Sequence, residues 1–102
     1  IDALFERFDI FVTPSTSVTA FEPGQRPSEV AGMKVDSAYG IFPFTYIFNM
    51  TGHPAASVPC GFVDGLPVGM QIVGRFGDER MVLRASAAFE EVRSWRNIRP
   101  SL

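Results

Sequence analysis

The dipeptide Asp64-Gly65 leaves the segments on either side of it little choice of structure. It separates two apolar runs, and Asp-Gly supplies the two positive-φ positions of a tight β-hairpin turn. We therefore predict a hairpin over 57–73. Pro59 and Pro67 cannot donate hydrogen bonds to a strand ladder, so we expect the pairing to be incomplete or to bulge at these residues.

The residues before the hairpin indicate a helix that ends abruptly. The stretch from Phe48 reads FNMTGHPAASVPCG, with two glycines, two prolines and several small residues. Pro43 suits the first turn of a short helix over about 43–50, and Gly52 suits its end. Pro54 prevents the helix from restarting. We interpret this stretch as scaffold that supports a site and contributes none of its chemistry.

Helical and strand patterns alternate along the rest of the chain, which predicts an α/β fold with a mixed sheet and flanking helices. The run DIFVT is nearly continuously apolar, as in a strand buried on both faces. Asp78 is suited to cap a helix whose apolar residues recur at helical spacing. The predicted elements are the end of an amphipathic helix, a strand over 9–13, a loop over 14–38, the helix at about 43–50, the hairpin over 57–73 and a helix over 78–92.

The composition narrows the class of protein. The chain has 102 residues, of which 46% are hydrophobic, enough for one modest core. The net charge is −2 and the arginines are dispersed, so we expect no nucleic-acid partner. The apolar runs are too short for a membrane span, and we expect no membrane association. Cys60 is the only cysteine, which fits a reducing compartment and favours a cytoplasmic protein.

The hairpin region resembles the amidase signature family. The run FNMTGHPAASVPCGFVDGLPVGMQIVG, followed by LRASAAFEE and WRNIRP, is similar to the C-terminal end of these enzymes, and DIFVTPST matches their strand and loop ahead of the substrate region. The chain begins without methionine, in what reads as the middle of a helix. We therefore expect residues 1–102 to be a single C-terminal fragment of a larger amidase domain, with the C-terminal part of the amidase signature fold.

This resemblance implies a chemistry that the chain does not itself contain. Members of the family hydrolyse or transfer amides with a serine nucleophile, a second serine in a cis peptide and a lysine base. They use no metal or organic cofactor. Those residues lie in a Gly/Ser-rich signature and a Val-Lys segment, both N-terminal to anything present here. We expect the fragment to be inactive alone, with the missing N-terminal part as its partner and a small amide as the substrate of the full enzyme.

Several residues of this chain are of types that act in catalysis elsewhere, but their sequence context does not indicate a catalytic role. Lys34 is the only lysine and lies in the predicted loop without a Gly/Ser-rich partner. The hydroxyls of residues 15–17 are expected to bond nearby backbone in a turn. His53 is the only histidine, so it forms no histidine pair or metal cluster and is expected to cap or pack. Cys60 is expected to be a small buried filler. We predict no catalytic, cofactor-binding or metal-binding residue in the chain.

The aromatic run between Phe42 and Phe48 is the best candidate for contact with a substrate. Most of its rings are expected in the core, but the resemblance places the run near the rim of the substrate funnel, with Phe42, Phe44 and Tyr46 as its wall. In the amidotransferase A subunits, the residue three positions before the threonine matching Thr45 is an aspartate that receives the substrate's amino group. Phe42 occupies that position here. A phenylalanine cannot pair with an ammonium group, which favours an apolar or aromatic amide over glutamine.

Two other interpretations remain open. The chain could belong to the A subunit of a glutamyl-tRNA(Gln) amidotransferase, and hydrolysis of glutamine would distinguish that case. It could also be a non-catalytic structural or partner-binding module. In isolation, exposed edge strands and uncovered apolar faces are expected to drive association into homo-oligomers, burying the strand at 9–13.

Overall fold

The computed structural model describes residues 1–35 and 37–99; Asp36, in the predicted loop, and residues 100–102 lie outside the described part. The α/β class is confirmed, with helices flanking a β-hairpin. The elements in chain order are α1 (Asp2–Phe5), β1 (Ile10–Pro14), β2 (Glu29–Val30), β3 (Met33–Lys34), α2 (Ser37–Ile41), α3 (Tyr46–Thr51), β4 (Ala55–Val63), β5 (Leu66–Gly74) and α4 (Glu79–Val92).

The main sheet has three strands in the order β1-β5-β4. The hairpin turn has the two predicted positive-φ residues, Asp64 at 50° and Gly65 at 78°, and a two-residue turn of this kind makes β4 and β5 antiparallel. The β1–β5 pair is also antiparallel, so the predicted mixed sheet appears in the described residues as antiparallel pairs alone.

The strand β1 is less buried than predicted. It was expected to be buried on both faces, but it is an outer strand and Val12 is 46% exposed. An apolar run indicates a strand, but it does not show whether other elements cover both of its faces.

The expected irregularity of the hairpin occurs at Pro59. Pro59 pairs with Gly69, whereas Gly61 pairs with the adjacent Val68, so Cys60 is the additional residue of a β-bulge. Because the proline has no N–H to give to the ladder, a break in register at this position removes little hydrogen bonding.

Two apolar clusters lie on opposite faces of β5. Val73 packs with Phe5 and Phe48, from α1 and α3. The next residue toward the hairpin turn, Ile72, packs with Val58 of β4 and Val82 of α4. Alternate residues of a strand point to opposite faces, so the central strand contributes to both clusters. Both Ile72 and Val73 are almost completely buried.

The helix ends follow local sequence signals. α3 ends at Gly52, which has a φ of 73° and donates its N–H to the carbonyl of Phe48; glycine adopts this left-handed conformation without a steric penalty. α4 begins after Asp78, whose carboxylate accepts a hydrogen bond of 3.1 Å from the N–H of Met81. In the described residues no helix is long and apolar enough to cross a membrane.

Two predicted boundaries were wrong. The loop over 14–38 contains a small β2–β3 hairpin, whose turn is formed by Ala31 and Gly32 at φ values of 50° and 77°. Alanine is uncommon at positive φ, so the sequence carried no standard turn signal. The helix expected at about 43–50 corresponds to α3 alone, and Pro43 lies in the connection before it. Pro43 disfavours helical backbone at the residue before it, and α3 begins only at Tyr46.

Candidate functional site

The candidate substrate wall lies on the connection between α2 and α3, which we call the aromatic segment (residues 42–46). Phe42 is 36% exposed and Tyr46 is 39% exposed, while Phe44 is half-buried. Tyr46 packs edge-on against Tyr39, with ring centroids 5.4 Å apart. The three predicted wall residues therefore lie on one short segment, with two of the rings open to the surface.

Two surface cavities are lined by residues outside this segment. One of about 720 Å³ lies between the hairpin tip and the residues after α4 and includes Trp95 in its lining. The other, about 530 Å³, lies beside β1 and includes Thr13 and Ser17. Neither is lined by Phe42, Phe44 or Tyr46. The wall assignment therefore stays a prediction that depends on the resemblance and on exposure.

A buried glutamine of β5 fixes the backbone of the aromatic segment. Gln71 is 4% exposed, and its Nε2 atom donates to the carbonyl of Phe44 at 2.8 Å and to Thr13 Oγ1 at 2.9 Å. A side-chain amide has two N–H donors, so both are satisfied. Sequence reasoning missed this residue. Its signal is a single polar side chain between apolar residues in the strand run MQIV.

Ser17 fixes the same connection at its other end. The Oγ of Ser17 lies 2.8 Å from the carbonyl oxygen of Ile41 and 3.2 Å from that of Gly40. Its backbone N–H also donates to Ile41, at 3.1 Å. A hydroxyl has one proton to donate, and the shorter distance assigns it to Ile41. Ser17 was predicted to serve a local turn, and this prediction was wrong because its partners lie more than twenty residues away.

Ser15 likewise bonds outside its own loop. Its Oγ lies 2.6 Å from the Oγ of Ser57, above Gly69 of the central strand. Only Thr16, whose hydroxyl donates to the carbonyl of Val18 at 2.7 Å, behaves as the predicted turn residue. In the described part of the chain, neither hydroxyl of the Ser15–Ser57 pair has a histidine, lysine or carboxylate among its hydrogen-bond partners. The pair is thus a structural link between strands.

His53 packs, as predicted, and does not face an open site. Its side chain is 5% exposed and lies among the rings of Phe5, Phe48 and Phe76, with centroid distances of 5.5, 6.5 and 6.2 Å. Nδ1 lies 2.9 Å from Thr51 Oγ1. Nε2 lies 3.3 Å from Asp2 Oδ1 without forming a hydrogen bond among the described residues.

Lys34 and Cys60, the other two residues of types that act in catalysis elsewhere, lie apart from the aromatic segment. Lys34 is an exposed residue of β3. Cys60 is only half-buried, in the bulge of β4, and its Sγ lies 3.6 Å from the carbonyl oxygen of Val68. In residues 1–35 and 37–99 no group of three or more His, Cys, Asp or Glu side chains is placed to hold a metal ion.

Comparison with known proteins identifies the family. The amidase family model matches residues 1–83. The A subunit of the glutamyl-tRNA(Gln) amidotransferase of Geobacillus kaustophilus is 41% identical over 99 residues, which cover 97% of this chain and 19% of that protein. The protein of the same name from Chloroflexus aggregans is 39% identical over 101 residues, covering 99% of this chain and 20% of that protein.

Solved structures give the same result. A bacterial aryl acylamidase of the amidase signature family matches 92% of this chain with a TM-score of 0.81 and 39% identity, over 20% of its own length. The A subunit of the Thermotoga maritima glutamyl-tRNA(Gln) amidotransferase matches 88% with a TM-score of 0.74 and 34% identity, over 19% of its length. The chain spans about a fifth of the length of the relatives it matches. Sequence and fold together show that this chain belongs to the amidase signature family.

Proposed function

We propose that this chain is the C-terminal part of a longer amidase that hydrolyses a carboxylic amide carrying an apolar or aromatic group. The observation that carries the proposal is Phe42, a ring 36% exposed on the aromatic segment. The resemblance implies that the amidotransferase A subunits have an aspartate at the corresponding position, where it receives the substrate's amino group. A phenylalanine instead offers an apolar surface, which favours burial of an apolar substituent.

The likeness to the aryl acylamidase supports an aromatic amide. That structure matches more of this chain than the T. maritima amidotransferase structure does, and at the higher TM-score. The exposed rings of Phe42 and Tyr46 give the segment two aromatic surfaces, and aromatic pairs gain about 0.5–1.5 kcal/mol beyond their area burial.

In this proposal the reaction itself takes place outside the chain. A serine attacks the amide carbonyl and gives its proton, through a second serine, to a lysine. This proton passes to the departing amine as the C–N bond breaks and an acyl-serine ester forms. Water then hydrolyses the ester, which releases the acid and regenerates the serine. All three residues lie in the part of the enzyme N-terminal to this chain. No metal or organic cofactor is part of the proposal. Residues 1–102 contribute strands, a stretch of substrate wall and no catalytic group, so the isolated chain is inactive.

A second candidate is the A subunit of a glutamyl-tRNA(Gln) amidotransferase. It is favoured by the curated relatives, of which eight carry this name at 36–41% identity.

A third candidate function is that of a non-catalytic module that binds another chain. It is favoured by the two outer strands of the described sheet, β1 and β4, since unpaired strand edges are ready-made docking surfaces. We propose that the same edges make the isolated chain a homo-oligomer, and that the protein is cytoplasmic, with Cys60 reduced.

Hydrolysis assays on the longer polypeptide encoded by the same reading frame test the proposal. An anilide, a short aliphatic amide and glutamine are compared, with the 102-residue chain assayed in parallel. We expect the anilide to be the best substrate of the longer polypeptide and no turnover by the short chain. Preference for glutamine would favour the amidotransferase, and failure to cleave any amide would favour the non-catalytic module.

A further inference from the structure

We infer that Gln71 and Ser17 are positioning residues for substrate selection, because together they hold the backbone on either side of Phe42. This inference rests on the proposed function, in which the exposed rings of the aromatic segment contact the substrate. Gln71 and Ser17 lie on different parts of the chain, and neither would contact the substrate itself. Their effect on selectivity would pass through the backbone between them.

Gln71 holds the C-terminal side of Phe42. Its side chain is 4% exposed, and it donates to the Phe44 carbonyl at 2.8 Å. A buried N–H donor must be paired, and this bond joins β5 to a residue 27 positions earlier in the chain. The second N–H donates to Thr13 Oγ1, and the Thr13 hydroxyl in turn donates to the Pro14 carbonyl at 3.0 Å. The glutamine thus ties the aromatic segment to the end of β1 as well.

Ser17 holds the N-terminal side. Both its hydroxyl and its backbone N–H donate to the carbonyl oxygen of Ile41, at 2.8 and 3.1 Å. The two fixed carbonyls, Ile41 and Phe44, therefore lie on either side of the Phe42-Pro43 dipeptide. Proline restricts its own φ and the conformation of the residue before it. With both ends fixed and the middle restricted, the backbone of Phe42 has little freedom.

The exposure of the rings is what gives this arrangement a role beyond packing. Ile41, the residue before the segment, is fully buried, whereas Phe42 and Tyr46 are 36% and 39% exposed. Core packing locates a buried ring, but an exposed ring depends on its backbone. The hydrogen bonds from Gln71 and Ser17 supply that constraint, and so set where an apolar substrate group would meet Phe42.

Amide hydrogen exchange measured by NMR on the 102-residue chain tests the anchoring without any assay of activity. The variants are Gln71→Met, which keeps length but loses both donors, and Ser17→Ala; the matched control is Gln25→Glu at the exposed Gln25. The reporter is the N–H of Thr45, which donates to the Phe42 carbonyl, and the reference is the N–H of Arg93, which follows α4 and donates to the Phe89 carbonyl. We expect about tenfold faster exchange at Thr45 in both variants, with Arg93 and the control unchanged.

Unchanged exchange at Thr45 in both variants would overturn the anchoring. An equal acceleration at Thr45 and Arg93 would show general destabilisation instead, and would also overturn it. Because Ser17 is only partly buried, Ser17→Ala remains informative if Gln71→Met does not fold. Ser17→Thr retains the hydroxyl and is expected to restore slow exchange.

Steady-state kinetics on the longer polypeptide test the effect on selectivity. In Gln71→Met and Ser17→Ala we expect KM for an anilide to rise about tenfold, while its kcat and both parameters for a short aliphatic amide stay unchanged. Equal losses on the two amides, or a fall in kcat alone, would overturn the positioning role. If the wild-type polypeptide cleaves no amide, the proposed function fails and the selectivity role fails with it. The exchange experiment still decides whether the two residues anchor the segment.

Discussion

The hydroxyl oxygens of Ser15 and Ser57 lie 2.6 Å apart, directly above the backbone of Gly69. Ser57 belongs to β4 and Ser15 immediately follows β1, so the bond joins the two outer strands across the central one. This contact is possible because residue 69 has no side chain. A Cβ at Gly69 would lie 2.8 Å from both hydroxyl oxygens.

Gly69→Ala is therefore expected to destabilise the chain by about 1–3 kcal/mol, the usual cost of overpacking a site that cannot expand freely. Urea unfolding followed by circular dichroism measures the change. In a Ser15→Ala/Ser57→Ala background both oxygens are gone, and the same glycine substitution should cost less than about 1 kcal/mol. An equal cost in the two backgrounds would mean that the clash is with something other than the two hydroxyl oxygens.

Replacement of His53 tests its role as a packing residue. His53→Ala removes a ring that lies among three phenylalanines, and we expect a loss of about 2–4 kcal/mol in unfolding free energy. His53→Phe keeps a ring but loses the hydrogen bond with Thr51, at a cost of about 1 kcal/mol. Asp2→Asn is the control, because the Asp2 side chain is 94% exposed and forms no hydrogen bond with His53 Nε2 among the described residues. A larger effect of Asp2→Asn than of His53→Phe would contradict this assignment.

The cap of α4 makes a separate contribution to stability. Asp78→Ala removes the acceptor for the Met81 N–H, and we expect a loss of about 1 kcal/mol from the unfolding free energy. Asp78→Asn retains a side-chain oxygen at the same place and should lose less. If the two substitutions cost the same, the capping bond is not the source of the effect.

Phe42→Asp tests the substrate preference of the longer polypeptide. An aspartate restores the carboxylate that the amidotransferase A subunits are expected to have here, so we predict at least about a tenfold fall in kcat/KM for an anilide, equivalent to about 1.4 kcal/mol of transition-state stabilisation. Glutamine hydrolysis should rise relative to the anilide. The matched control is Phe21→Asp, at a phenylalanine with similar exposure, 40%, outside the aromatic segment. The same response in both variants would remove Phe42 from the wall.

The outer edge of β1 is predicted to be where isolated chains associate. Val12 is 46% exposed on that strand, and a lysine there places a charge on a strand edge, which disfavours pairing with another strand. Light scattering should show dimers or larger species for the wild type and mainly monomer for Val12→Lys. Val92→Lys is the control, because Val92 is 83% exposed at the end of α4. A wild-type chain that is monomeric at micromolar concentration would rule out this association.

The hairpin and the capped helix could be predicted from the sequence because their signals are local. Asp64-Gly65 specifies a turn by backbone conformation alone, and Asp78 caps the residues that follow it. The β2–β3 hairpin escaped prediction because its turn contains Ala31, a residue with no preference for positive φ. The exposure of β1 escaped it because an apolar run indicates strand but says nothing about which neighbours cover it.

The candidate site was likewise predictable from the sequence only in part. Its aromatic residues were evident from composition and from the family resemblance, and the structure places Phe42 and Tyr46 at the surface. The residues that hold them were not evident, because Gln71 and Ser17 act on partners 27 and 24 positions away. A polar residue in an apolar strand shows that a partner is needed, but sequence spacing does not show which one.

Three consecutive residues of β5, the central strand, contact three different parts of the structure. Gln71 holds the aromatic segment, Ile72 packs beneath α4, and Val73 packs with α1 and α3. A substitution in the interface between Ile72 and α4 therefore acts on the same strand that carries Gln71. Selectivity in such an enzyme would be adjustable by remote substitutions in the α4 interface, without altering a residue that the substrate touches.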